Sequence, residues 1–464
     1  MHRNVMRPLL YAVACLLPAA GAWANGAVYA MTNALGNNEV LVYQRAQNGT
    51  LSLGQTAPTG GGGSGLQLAG IDSLGSAGSI QLDPDHHLLF VVNTESLHEN
   101  NGSGAYNTDC QQGTITSFRV APDGKLTFAD RVFSGGLFPS SLTVRKLKVD
   151  NEDRSSDEGK REHAELLYVL NAGGPQTAIC HLTPATANVP NVTGLKVDRD
   201  GHLNPIDSTQ AVDPGPASGS GENCSAESAA GFSALLGGVP AADFQCGLNP
   251  PSFARSPAQV RFTPDGDHLL VTVKGTNTIL AFPVDHDGSV DAPVVTQAAR
   301  TLPGFFGFTF DSKGHLLVSE LFGSATAIPA GSMGAVSSFT VTRNGHLTAI
   351  SSDVGDGGTA ACWIALEPLI GRYVYVANNL SATISSYSVA NNGRVTLLDG
   401  KAATASGPND LAIATDGGRS YLYVVNAATG TVGAFKVNLG DGSLSPITGG
   451  LGLPTTSAQG LAAF

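Results

Sequence analysis

Charge is scarce in this chain. Asp, Glu, Lys and Arg make up only 13% of its residues, and the acidic ones outnumber the basic ones 37 to 25. The formal net charge of −12 opposes binding to nucleic acid, where attraction of lysine and arginine to phosphate dominates affinity. The one short basic group, Arg145, Lys146 and Lys148, is followed by Glu152, Asp153, Asp157 and Glu158, so no nucleic-acid partner is expected. Beyond the N-terminus there is no apolar run long enough to cross a bilayer as a helix, and no membrane span is expected. No Cys-x-x-Cys, zinc-spaced Cys/His set, P-loop or Gly-x-Ser-x-Gly elbow occurs, so no metal and no cofactor is expected. Asp285-x-Asp287-Gly288 lacks the remaining ligands of a calcium loop and reads as a hairpin turn.

The exception to these absences is the N-terminus. Arg3 and Arg7 precede an apolar stretch from Leu9 to Leu17, and Ala22-Trp23-Ala24 forms a small-x-small cleavage site. Residues 1–24 are therefore expected to be a secretory signal, and the mature chain to be periplasmic or secreted. Removing Arg3 and Arg7 takes the formal charge from −12 to −14. Five of the six cysteines remain in a compartment that permits disulfides. Cys224 and Cys246 share one insertion and Cys110 and Cys180 lie on equivalent loops, so two bridges are plausible pairings among the three that four cysteines allow. Cys362 opens a strand and reads as a buried free thiol.

What is abundant is glycine (58) and proline (25), set between short β-branched and aromatic runs. The pattern is clearest from Tyr373 to Leu398. There Tyr373–Val376, Ala382–Val389 and Val395–Leu398 are three runs, with Trp363–Leu366 a fourth before them. Asn392-Gly393 joins the last two, and a type I′ turn is expected, with positive φ at both central residues. Similar units recur from Ala27, Ser79, Ser141, Ala258, Phe306 and Leu411. The first unit lacks one strand, while Gly460–Phe464 is a strand lacking its unit. Pairing the two closes a ring and removes its open edges. The expected architecture is all-β: one seven-bladed β-propeller over residues 25–464, closed by the C-terminal strand pairing into blade one. Insertions are expected at 93–112, 150–165 and 213–255. The charged run Asn151–Glu165 reads as a solvated loop.

The runs PDGDHLLVTVKGTNTILAF from Pro264, YVYVANNLSATISSYSV from Tyr373 and YLYVVNAATGTVGAFKV from Tyr421 resemble YVTN-type seven-bladed propellers. With Ser319-Glu320-Leu321 at the end of a second strand, the chain resembles the lactonase branch, which includes 6-phosphogluconolactonase and carboxymuconate-lactonizing enzymes. The resemblance implies a site built from a His on one blade's first strand, an Arg-His pair on the next, and a Glu closing that blade's second strand. Glu320 matches that Glu. The His position falls on Ala258, and the Arg-His pair on Phe305 and Phe306, so the cations that would hold an anionic substrate are missing.

In the repeat register Asn93, Asn171, Asn378 and Asn426 share one slot at the end of a second strand, and Val273 and Glu320 take it in blades four and five. Such an Asn ordinarily bonds its own backbone. Glu320 breaks the pattern and is the candidate general base, its pKa raised at a channel mouth; the bland alternative is a rim Glu paired with Arg255 or Arg261. His98 and Glu95, on a long polar loop, form a second catalytic candidate. Asn93, Phe305, Phe306, Arg255, Asn378 and Asn426 are candidate substrate contacts, with Phe305, Phe306 and Trp363 either an apolar wall or inter-blade packing. Two functions follow. One is an exported lactonase-like enzyme that hydrolyses or forms a lactone of a small molecule, acting as a monomer. The other is a non-catalytic propeller that binds a small ligand or a protein.

Overall fold

The computed structural model describes residues 26–65, 72, 74–94, 113–147, 165–173, 189–212, 257–274, 276–297, 304–321, 334–455 and 457–464. Its strands form seven four-stranded antiparallel sheets, each a blade with its first strand innermost. The innermost strands are Leu461–Ala463 in blade one, then Ile80–Asp83, Pro139–Lys146, Pro257–Phe262, Phe305–Phe310, Ala361–Leu366 and Pro408–Asp416. The ring closes as expected: Leu461–Ala463 pairs with Ala27–Met31, setting Ala30 opposite Leu461 and Val28 opposite Ala463.

Packing explains the apolar runs. Every residue is buried in the second strands Leu88–Asn93, Glu165–Asn171, His268–Val273, Leu316–Glu320 and Tyr373–Asn378. A neighbouring blade covers each face, so these strands need not alternate. The outer strand Leu126–Phe133 is covered less and carries exposed positions.

The tyrosines of the repeat join blade to blade. The Tyr29 hydroxyl donates to the Gly124 carbonyl, Tyr168 to Gly288, Tyr375 to Gly442 and Tyr423 to Gly49, at 2.7–2.8 Å. Each reaches from a second strand to the outer hairpin of the next blade round the ring. Blade two has Phe90 in that slot, and there Ser117 donates to the Gly201 carbonyl instead.

Those hairpins correct one expectation. Gly393 has φ +80°, but Asn392 is not among the residues with positive φ. Ala390 accepts from Gly393 N, and Ala390 N donates to the Arg394 carbonyl. This is a type I turn followed by a left-handed glycine, not a type I′ turn. The left-handed conformation is confined to Gly393, where the missing Cβ makes it cheapest. A second correction concerns the charged run ending at Glu165. Residues 151–164 lie outside the described set, but Glu165 opens a strand and is only 2% exposed.

Candidate functional site

Between blades one and two the chain crosses the propeller axis. The Ser76 carbonyl accepts from Trp363 Nε1 of blade six (3.1 Å) and Gln459 Nε2 (2.8 Å), while Ser76 Oγ donates to the Ser140 carbonyl of blade three (2.7 Å). Ala77 N donates to the Ala258 carbonyl of blade four, and Leu142 N to the Gly78 carbonyl. Contacts with both blade three and blade six, on opposite sides of the ring, are possible only at its centre. The small residues Gly75, Ser76, Ala77 and Gly78 allow the chain to pass there.

This crossing carries buried charge. Asp72 Oδ1 accepts from Leu74 N (3.0 Å) and Gly75 N (2.8 Å), and the Lys274 ammonium donates to the Gly75 carbonyl. Lys274 Nζ also lies 5.0 Å from the centre of the Phe306 ring, within cation–π range. Burial holds the Asp72 carboxyl above the usual range while Lys274 opposes the shift. Burial likewise holds the Lys274 amine low, with Asp72 opposing. Close by, burial pushes the Asp410 carboxyl up to about 8 although the Leu411 and Leu461 amides donate to it. Cys362 is buried and free, as expected, and burial raises its thiol.

Lys274 is the residue that sequence reasoning missed. It follows the slot residue of blade four, where other blades have Thr94, Ala172, Leu321, Asn379 and Ala427. A lone lysine in that register is the signal that could have found it. It places a cation beside the strand on which the resemblance calls for Arg-His.

The slot residues behave alike. Asn93 Nδ2 donates to Thr114 and Thr116, Asn171 Nδ2 to Asn191 and Thr193, Asn378 Nδ2 to Thr383 and Ser385, and Asn426 Nδ2 to Thr431. Each ties the second strand of its blade to the third through side chains, rather than through its own backbone. Glu320, 2% exposed, does the same by accepting from Ser337 Oγ, which in turn accepts from Asp353 N (3.0 Å). Glu320 is therefore fully buried rather than partly open.

Among the other candidates, Phe305 stands opposite Glu320 in the ladder and meets Phe339 edge-on at 5.9 Å. Phe306 points the other way, to Trp363 at 5.5 Å and to the axial cluster. Asn93, Asn378 and Asn426 remain in separate blades. Arg261 donates to Thr309. His98, Glu95, Arg255, Cys110, Cys180, Cys224 and Cys246 lie outside the described residues. Asp287 accepts from the Ser289 amide and hydroxyl, as a hairpin residue. Among the described residues one group could hold a metal: Asp83, His86 and Glu165, at the opposite end of the ring. No described helix is long and apolar enough to cross a membrane.

Residues 364–458, which span blades six and seven, match the family described as Lactonase, 7-bladed beta-propeller. No curated protein matches the chain in sequence. In structure it is similar to a periplasmic gluconolactonase of Pseudomonas aeruginosa, at 16% identity and TM-score 0.57, over 95% of this chain and 99% of that one. A putative 6-phosphogluconolactonase of Bacteroides fragilis gives 16% identity and TM-score 0.57, over 96% and 99% of the two chains. Another, from Bacteroides uniformis, gives 15% and 0.58, over 95% and 99%. At such identity the likeness is one of fold. In the sequence of its blades six and seven, and in fold along nearly its whole length, this chain resembles the seven-bladed β-propeller lactonases.

Proposed function

We propose that the protein is an exported lactonase-type propeller that opens, or in reverse closes, the ring of a small lactone, with Glu320 as base. The observation that carries this reading is a buried carboxylate in a slot that blades two, three, six and seven fill with Asn. It stands opposite Phe305, on the strand whose next residue lies under Lys274. Glu320 takes a proton from water as the oxygen attacks the lactone carbonyl. The bond from that carbon to the ring oxygen breaks, and the ring oxygen takes up a proton to leave a hydroxy acid. Because Phe305 and Phe306 stand where the resemblance calls for Arg-His, a neutral lactone such as a gluconolactone suits the site better than a phosphorylated one. Export follows from residues 1–24, and the mature protein is expected to begin at Asn25.

The test is proton release by the mature protein over neutral and phosphorylated lactones, with Glu320→Gln alongside. Loss of a general base lowers kcat by about 10²–10⁴-fold. Turnover that survives the substitution would remove Glu320 as the base, and no turnover of any lactone would remove the enzyme reading. One observation favours the second reading, a ligand-binding propeller without catalysis. Glu320 ties its blade together through Ser337 as the slot asparagines do through Thr and Ser.

A further inference from the structure

At the end of the ring away from the axial crossing, three side chains from two blades converge. Asp83 and His86 come from the first hairpin of blade two, and Glu165 opens the second strand of blade three. His86 Nδ1 lies 2.8 Å from Asp83 Oδ2 and 2.6 Å from Glu165 Oε1, and the three ligand atoms all fall within 4.8 Å of one another. Glu165 is only 2% exposed, and its second oxygen, Oε2, is buried without a hydrogen-bond partner. Two buried carboxylates and one imidazole nitrogen from two blades are thus gathered at one point.

We propose that Asp83, His86 and Glu165 form a divalent metal site, for a cation of the Mn²⁺ or Zn²⁺ class, that clamps blade two to blade three. The donor set, one imidazole and two carboxylates, suits these ions. In the octahedral geometry of Mn²⁺, metal–ligand bonds of about 2.1 Å give ligand–ligand edges of about 3.0 Å. The two measured edges are slightly shorter, so the ligands need move apart by only a few tenths of an ångström. A cleft of about 460 Å³ lies against the site and is lined by Asp83, Asp85, Arg145, Lys146, Glu165 and Asp265, leaving room for water ligands. Its cations make their closest contacts elsewhere, although the Lys146 charge acts on Glu165 from a distance. Lys146 pairs with Asp85 at 3.1 Å, and Arg145 donates to the Lys146 carbonyl and stacks over Phe262. The sequence hides the site because its third ligand ends a charged run that looks solvated.

The test uses the whole mature protein, stripped with chelator and titrated with Mn²⁺. The electron paramagnetic resonance signal of free Mn²⁺ measures binding, and the urea midpoint measures stability. The expected result is one Mn²⁺ per chain at micromolar affinity, with a midpoint that rises as the ion saturates. Glu165→Gln and His86→Asn should each weaken binding at least tenfold and abolish the rise. Should Glu165→Gln fail to fold, the partly exposed His86 position still decides the matter. Absence of saturable binding up to millimolar Mn²⁺, or affinity unchanged in His86→Asn, would overturn the proposal.

Discussion

Replacing Lys274 by Met probes the axial crossing most sharply. The substitution keeps an unbranched side chain but removes the donor to the Gly75 carbonyl, the cation over Phe306 and the charge that offsets Asp72. Taking away one member of a buried charge pair costs about 3–5 kcal/mol, because the other is left without compensation. Here the cost depends on pH. Burial already raises the folded-state pKa of Asp72, so the folded protein holds a proton there that the unfolded chain has released. Stability carried by such a group is present below its unfolded pKa and is lost as pH rises through its folded one. Without Lys274 the folded pKa rises further, so the mutant loses stability over a wider range, by up to about 1.4 kcal/mol per pH unit. The deficit of Lys274→Met should thus be small near pH 4 and largest near pH 8. Asp72→Asn retains an acceptor for Leu74 N and Gly75 N, so adding it should recover about 1 kcal/mol or more as coupling. Urea titrations at several pH values measure this. Of the two tryptophans, Trp23 lies in the proposed signal, so in the mature protein Trp363, bonded to Ser76, reports the crossing by fluorescence. A deficit independent of pH, or a double mutant no better than Lys274→Met at pH 8, would refute the reasoning.

Three further outcomes follow from the same geometry. Tyr375→Phe leaves the Gly442 carbonyl without its donor and should cost about 1–3 kcal/mol in urea, with no change in the far-ultraviolet spectrum. Gly442→Ala places a Cβ 2.7 Å from the Tyr373 ring at φ +79°, and should destabilise by at least as much. Asp410, pushed up to about 8, withdraws stability as pH rises from about 4 to about 8, so Asp410→Asn should flatten that fall and lose least against the parent near pH 9. A parallel pH profile in the mutant would count against Asp410 as the source.

The ring was legible because its evidence is local and repeated. Runs such as Tyr373–Val376, a glycine in each hairpin and the half-unit at either end are all visible in one dimension. The tyrosine that makes those runs recognisable is kept busy by a hydroxyl bond to the next blade, which the residue type alone does not announce. The turn type was misread because Asn-Gly satisfies two hairpin geometries, and only the backbone at Asn392 separates them. The sites were harder for a different reason. Lys274 meets Gly75 across the axis, and Glu165 meets Asp83 and His86 across a blade boundary. Such meetings depend on how the ring closes, and no spacing along the chain encodes them. Glu320 stands out as the odd residue in its slot, yet its bond to Ser337 gives it a structural part that composition did not suggest.

That double part is what most needs to be separated, and one paired measurement does so: lactone turnover and urea stability of Glu320→Gln and Ser337→Ala together. With Glu320 as base, Glu320→Gln should lose activity by at least about a hundredfold while staying folded. Ser337→Ala should remain active, since the Glu320 carboxylate itself is kept. If instead both variants lose stability alike and lactone turnover is unchanged in either, Glu320 is a strand tie and the catalytic account fails.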